Sequence, residues 1–354
     1  MKTSLLRILV CLIIPLVLTG CGQKPTYNII DVHEHIQSLS KADELLKVNE
    51  SLGITKTIFL ASPVETLTLN GNKSFTQFKE NAVELSTIKS KYPEKTDFFC
   101  TLPPNEGALE YLKECLNNGG IGLKLYNGHS YYYDIFKEPL DSSKMLPIYD
   151  YCEENGVPII FHVNINNYEN ELERLLSKYP KLRIDIPHYM VSSKNLDRVS
   201  QILTRYSSVY TDVSFGSPEY MASGIHRSSK NAKDFRNFIF KHSDRILFGS
   251  DMVLTDHKSK NPRFMTNVLG CYKDMLESKT YNCKPANEYY TIESMRAIVD
   301  ATDCTNDCDA LNDRMTDLIR KEEESRTLIG FNLPHKILNQ IYEVNPQTFL
   351  GLPN

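Results

Sequence analysis

The sequence predicts an α/β protein, a (β/α)8 barrel of the TIM type with one insertion between its eighth strand and a C-terminal helix. Three observations carry this. Eight short, β-branched apolar runs alternate with eight amphipathic stretches. Each run is apolar enough to be covered on both faces, as parallel strands are. No Gly-rich dinucleotide or phosphate loop follows any run, which removes the main support for an open doubly wound sheet.

The N-terminus comes first and is set apart from the barrel. Lys2 and Arg7 lead an apolar run from Ile8 to Leu18 that is too short to span a bilayer as a mature helix. Leu18-Thr19-Gly20-Cys21 resembles the bacterial lipobox, so residues 1–20 are expected to be a lipoprotein signal peptide and Cys21 the lipidated N-terminus. Gly22 in place of Asp favours sorting beyond the inner membrane, to a periplasmic or cell-surface position in the envelope. Residues 21–26 then form a short linker and 27–354 the barrel.

The strands are expected at Tyr27–Val32, Ile54–Ala61, Thr96–Leu102, Ile121–Tyr126, Val157–Val163, Leu182–Ile186, Ser208–Val213 and Arg245–Phe248, bounded by Gly, Pro or Asp. Helical patterns fill the gaps at Ala42–Ser51, Thr76–Lys91, Ala108–Asn117, Met145–Glu154, Glu169–Lys178, Asn195–Arg205, Asn231–Phe240 and Asn261–Leu276. The polar, charged segment from about 272 to 329 reads as an insertion near the barrel mouth, as a lid or as a solvated decoration.

Composition narrows the function. With 40 Lys and Arg against 44 Asp and Glu and no basic tract, nucleic acid is not an expected partner. After residue 21 no run is apolar enough to cross a membrane, which leaves lipid on Cys21 as the membrane contact. In an oxidising compartment a disulfide from Cys283 to Cys304 or Cys308 is expected, with Cys271 just upstream and Cys100, Cys115 and Cys152 left as small buried hydrophobes.

The strand ends carry the chemistry. His33 and His35 in IIDVHEHI stand two apart, so on a strand they share one face. The fifth strand closes on His162, the sixth on His188 and the eighth on Asp251, and C-terminal strand ends are where a barrel builds its active site. Imidazole nitrogens and a carboxylate suit one borderline divalent ion, zinc first, with manganese or iron as alternatives. Lys124 ends the fourth strand. From its place it has two readings, a contact to a substrate carboxylate together with Tyr126 and His129, or a structural lysine paired with an acid. Asn164 is a further polar candidate for substrate, and Tyr131, Tyr132 and Tyr133 form either a pocket wall or loop packing.

This order of residues, with the words GIGLKLYNG, FHVN, IPHYM and FGSD and the ending LPHKILNQIYEVNPQTFLGL, resembles the amidohydrolase superfamily. Within it, the likeness is to the amidohydrolase-related branch that includes aminocarboxymuconate-semialdehyde decarboxylase. The resemblance spans Tyr27 to Asp256 and Leu333 to Leu352. It implies a mononuclear site with His33, His35, His162 and Asp251 on the metal and His188 beside the bound water. For Lys124 the resemblance implies a third reading, a carboxylated bridge between two metals.

A metal-activated water makes hydrolysis of a small-molecule amide, ester or lactone the expected reaction, with Asp251 taking and returning the proton and His188 assisting. Non-oxidative decarboxylation of an unsaturated or aromatic carboxylic acid is the second reading, since relatives use the same constellation to protonate carbon. A binding lipoprotein without turnover is the third.

Overall fold

The computed structural model describes residues 27–68, 73–216, 218–283 and 327–352. Eight parallel strands, β1 (Ile29–Glu34), β2 (Ile54–Leu60), β3 (Thr96–Thr101), β4 (Gly122–Gly128), β5 (Ile159–Val163), β6 (Ile184–Asp185), β7 (Val209–Asp212) and β8 (Ile246–Leu247), follow one another in a single sheet. The sheet curls until β8 meets β1: Val32 N donates to Phe248 O at 3.0 Å, Asp251 N to His33 O at 2.7 Å and Leu254 N to His35 O at 2.7 Å. The predicted barrel is therefore the observed one.

Alternation sorts each strand into two faces. Ile30, Val32, Ile58, Leu60, Phe99, Ile160, Tyr210 and Leu247 pack together inside the barrel, with Phe349 and Leu350 closing its floor. Their odd-and-even neighbours, among them Phe59, Phe98, Leu123, Phe161 and Val209, pack outward against the helices. Helix ends follow local chemistry: Ser38 caps Leu39–Leu52 by accepting from Lys41 N, and Gly53 ends it at φ 76°, a conformation that glycine adopts without a Cβ clash.

All eight predicted helices are present, displaced by four residues at most at either end. Val64–Thr68, Ser130–Phe136 and Pro218–Lys230 are additional helices; the first two are too short to show a helical period, and the third buries Met221, Ala222 and Ile225 on one face. The C-terminal helix runs in three segments, His335–Asn339, a π-helical turn Gln340–Val344, and Asn345–Leu350. It lies across the floor, where Asn345 Nδ2 donates to Ile246 O at the start of β8 and Arg183, at the start of β6, donates to Thr348 O.

The cysteine pairing corrects the expectation. Cys100 on β3 is bonded to Cys115 on the helix Ala108–Asn117, and Cys271 to Cys283, while Cys152 is a buried free thiol. Cys100 faces outward onto the helix that covers it, so the packing that makes both sulfurs core residues also brings them into bonding range. A Cβ at Gly120 would lie 2.4 Å from Cys100 Sγ, so only glycine leaves room for this bridge. Cys304 and Cys308 lie outside the described residues.

Of the segment 272–329, residues 272–277 finish the helix Pro262–Glu277, and the chain then reverses through β9 (Thr280–Tyr281), which pairs antiparallel with β10 (Leu328–Ile329). Gly330 N donates to Lys279 O and Phe331 N to Met275 O. The two ends of the segment thus attach beside the lower half of that helix, on the flank of the barrel; residues 284–326 lie outside the described residues.

Candidate metal centre

The centre is built at the mouth from the ends of β1, β2, β4 to β7 and the loop after β8. His33 and His35 reach it through a β-bulge. Asp31 pairs with Thr57 and Glu34 with Phe59, so three residues of β1 are spanned by two of β2. Ile30 and Val32 point inward, and strict alternation would send Glu34 in after them. The extra residue reverses the faces and sends His33 and His35 inward instead.

Hydrogen bonds decide which nitrogen of each ring is left bare. His33 Nδ1 lies 2.6 Å from Asp212 Oδ2, an acceptor, so Nδ1 holds the proton and Nε2 presents a lone pair. His35 Nδ1 lies 2.6 Å from Ser62 Oγ, whose own proton goes to Leu60 O at 2.8 Å, so His35 also donates from Nδ1. His188 Nδ1 lies 2.8 Å from Ser214 Oγ, which donates to Asp212 Oδ1 at 2.6 Å, and the same conclusion follows. Three imidazoles therefore turn unprotonated Nε2 atoms toward one carboxylate: Asp251 Oδ1 is 3.6 Å from His33 and 3.3 Å from His35, and Oδ2 is 3.4 Å from His188.

His33, His35 and Asp251 offer ligand atoms within 4.8 Å of one another, all buried. The donor set fits a borderline divalent cation, because two imidazole nitrogens without a proton and a carboxylate oxygen converge on one another. The supporting bonds to Asp212 and Ser62 are those that metal-binding histidines characteristically make through their second nitrogen. His162, half-buried on β5, stands in the same mouth with its ring 4.5 Å from that of His129 and 5.1 Å from that of His188, centroid to centroid.

The Asp251 backbone is left-handed at φ 47° and is held there from β1. Glu34 Oε2 accepts from Met252 N at 3.1 Å, and Ser250 Oγ lies 2.5 Å from Asp31 Oδ2 and 2.7 Å from Glu34 Oε2. One hydroxyl proton cannot serve two carboxylates, so one of the two acids is protonated. Burial pushes both up, Asp31 to about 7. His188 opens a run of four left-handed residues, with φ 62° at His188 and 55° at Val191. Such a run is costly for residues with a Cβ and is held by the buried bond from His188 N to Asp212 Oδ1 at 2.9 Å.

Burial dominates the electrostatics. It lowers His33 to about 3 and His188 to about 4, helped in both by the Lys124 charge, and it raises Asp251 to about 8 against the pull of Lys124. Burial alone would also raise Asp212, but the imidazoles of His33 and His188 and the bonds it accepts hold it below the usual carboxylate range.

The substrate-side candidates separate. Lys124 Nζ is buried 3.3 Å from His33 Nε2, beside the metal ligands, and burial lowers it to about 8. Tyr126 donates to Ser62 Oγ at 3.1 Å and so buttresses His35. His129 differs from the other rings: its Nδ1 accepts from Tyr131 N at 3.2 Å, so its proton sits on Nε2. Asn164 caps the helix Ile165–Lys178 through Asn166 N. Tyr132 is buried against Tyr126, Phe75 and Phe136, whereas Tyr133 stacks on Tyr168 at 4.1 Å. Asp212, Ser62 and Ser214 were not singled out from the sequence. Their signal was position, since each lies at or just past a strand's C-terminal end as the histidines do.

Solved structures that share this architecture include a putative amidohydrolase from Staphylococcus aureus (16% identity, TM-score 0.54, covering 92% of this chain and 100% of that one), a dihydroorotase from Campylobacter jejuni (12%, 0.50, 92% and 84%), and a 2,6-dihydroxybenzoate decarboxylase (14%, 0.50, 92% and 99%). At these identities the likeness is one of fold. No curated protein matches the sequence. The sequence profile of the amidohydrolase family matches residues 81–266, a stretch that runs from the helix after β2 past Asp251. With more than half of the sequence inside that profile, and with the eight-stranded barrel that carries it, this chain belongs to the amidohydrolase family.

Proposed function

We propose that the chain is a metal-dependent hydrolase of a small-molecule amide, ester or lactone, working at the bacterial cell envelope and held there by lipid on Cys21. The observation that carries the reading is the pair of bare Nε2 atoms on His33 and His35 facing the Asp251 carboxylate. His33, His35 and Asp251, with His162 as a further nitrogen, would hold one divalent ion, zinc ahead of manganese or iron, which when bound would supply Lewis acidity toward a carbonyl oxygen and lower the pKa of a nearby water.

The side chains supply the rest. The Asp251 carboxylate is the group placed to take a proton from water, and His188 Nε2, 3.4 Å from its second oxygen, is placed to accept a hydrogen bond from the same water. Asp212 fixes the orientation of both His33 and His188 from below. His129 presents an N–H donor toward the mouth, suited to an acceptor oxygen on the substrate, and Lys124 supplies positive charge beneath it.

The test measures metal by elemental analysis alongside turnover of a panel of lactones, aryl esters, amides and unsaturated carboxylic acids. About one ion per chain is expected, lost in His33→Ala and His35→Ala. Asp251→Asn keeps part of the metal while turnover falls by about 10²-fold or more. Carbon dioxide in place of a hydrolysis product would move the assignment to the decarboxylase reading. A wild-type protein without metal or turnover would return it to a binding lipoprotein.

A further inference from the structure

We infer that the anchored barrel stands with its floor toward the bilayer and its mouth toward bulk solvent, so that its substrate is a water-soluble small molecule and not a bilayer-resident lipid. This rests on the lipid-anchored reading of Cys21.

The chain enters the fold at the floor. The Tyr27 ring packs on His335 and Tyr342 of the C-terminal helix, at centroid distances of 5.0 and 5.3 Å. Asn28 Nδ2 donates to Glu343 Oε1 at 3.0 Å, and Ile29 N to Gly53 O at 3.2 Å. From there β1 rises through the barrel and delivers His33 and His35 to the opposite end. Floor and mouth are thus fixed relative to the tether by the direction of one strand.

Length decides the orientation. Cys21 and Tyr27 are six residues apart, which span at most about 20 Å fully extended. The six residues of β1 rise by about the same amount. Above them stand the loops that carry His129, and the one that runs from Gly249 to Asn261. To press the mouth against the bilayer, the tether would have to run up the outside of the barrel, past the full strand height and then past those loops. It is too short for that. A lipid substrate would have to leave the bilayer completely and travel around the protein to reach Asp251.

The chain contains no tryptophan, so one introduced Trp is a unique fluorescence donor. Lys336, exposed on the floor helix, and Lys258, exposed on the mouth loop, provide the two positions. Lys181, exposed just before β6, is a second floor position should Lys336→Trp fail to fold. The full-length lipidated protein is reconstituted into vesicles of phosphatidylethanolamine and phosphatidylglycerol carrying a dansyl-headgroup lipid. Energy transfer several-fold stronger from Lys336→Trp or Lys181→Trp than from Lys258→Trp is expected. Equal transfer, or more from Lys258→Trp, overturns the orientation. Mass spectrometry of the N-terminal peptide reads the anchor independently: a Cys21 without lipid removes the anchor and the orientation with it, whereas a lipidated Cys21 with mouth-side transfer refutes the orientation alone.

Discussion

The Asp212 carboxylate accepts from His33 Nδ1 at 2.6 Å with one oxygen, while its other oxygen takes His188 N at 2.9 Å and Ser214 Oγ at 2.6 Å. One buried acid therefore orients a metal-ligand candidate and its neighbouring base, and it joins the ends of β1, β6 and β7. Asp212→Asn keeps the shape but loses the charge and one acceptor. Metal affinity is expected to fall by about 10- to 100-fold, as for other outer partners of metal-bound histidines. Metal titration against a competing chelator measures it; an unchanged affinity would show that His33 needs no such support.

Gly249 makes the room for this pair. A Cβ there would lie 2.9 Å from both Asp212 Oδ2 and His33 Cβ. Neither can retreat within a packed barrel, so Gly249→Ala is expected to destabilise the fold by about 1–3 kcal/mol and to lower metal affinity as well. Urea denaturation and metal titration of the same variant check the two effects together.

His129 should carry the opposite tautomer from the other rings. Long-range 15N correlation spectra of the metal-free protein are expected to show its proton on Nε2, and those of His33, His35 and His188 on Nδ1. A His129 proton on Nδ1 would remove it as a substrate-facing donor.

The same residue has a signed pH dependence. Burial first, then the His188 and Lys124 charges, lowers His129 to about 4 from the ordinary 6.5. Between those values the unfolded chain binds a proton that the folded chain refuses, so this group disfavours folding progressively as pH falls below 6.5. His129→Gln removes that contribution. Its stability relative to wild type should rise between pH 7 and pH 5, read from paired urea midpoints, and a constant difference would count against the shift.

Breaking the Cys100–Cys115 bridge, which spans 15 residues, should cost about 3 kcal/mol through the freedom returned to the unfolded chain. Cys115→Ser tests it by thermal denaturation. Non-reduced peptide mapping should recover Cys100 with Cys115 and Cys271 with Cys283.

The barrel was legible in the sequence because strand and helix periods are local properties, and each of the eight apolar runs carries its own period and its own boundary residues. The residues at the mouth were legible for the same reason: once strands are placed, their C-terminal ends are known, and His33, His35, His162, His188 and Asp251 occupy them. Cysteine pairing was not legible, since Cys100 meets Cys115, and Cys271 meets Cys283, only when a strand or a reversed chain packs against a helix.

The inward turn of His33 and His35 divides the two kinds of knowledge most clearly. Their spacing by itself determined that both rings share a face. Which face was decided by the bulge between Asp31 and Glu34, because without it Ile30 and Val32 would have drawn Glu34 inward and turned both histidines out. The bulge is held by Ser250, a partner 219 residues from Asp31 and 216 from Glu34. Only closure of the barrel brings that hydroxyl within reach, and no pattern along one strand can report it.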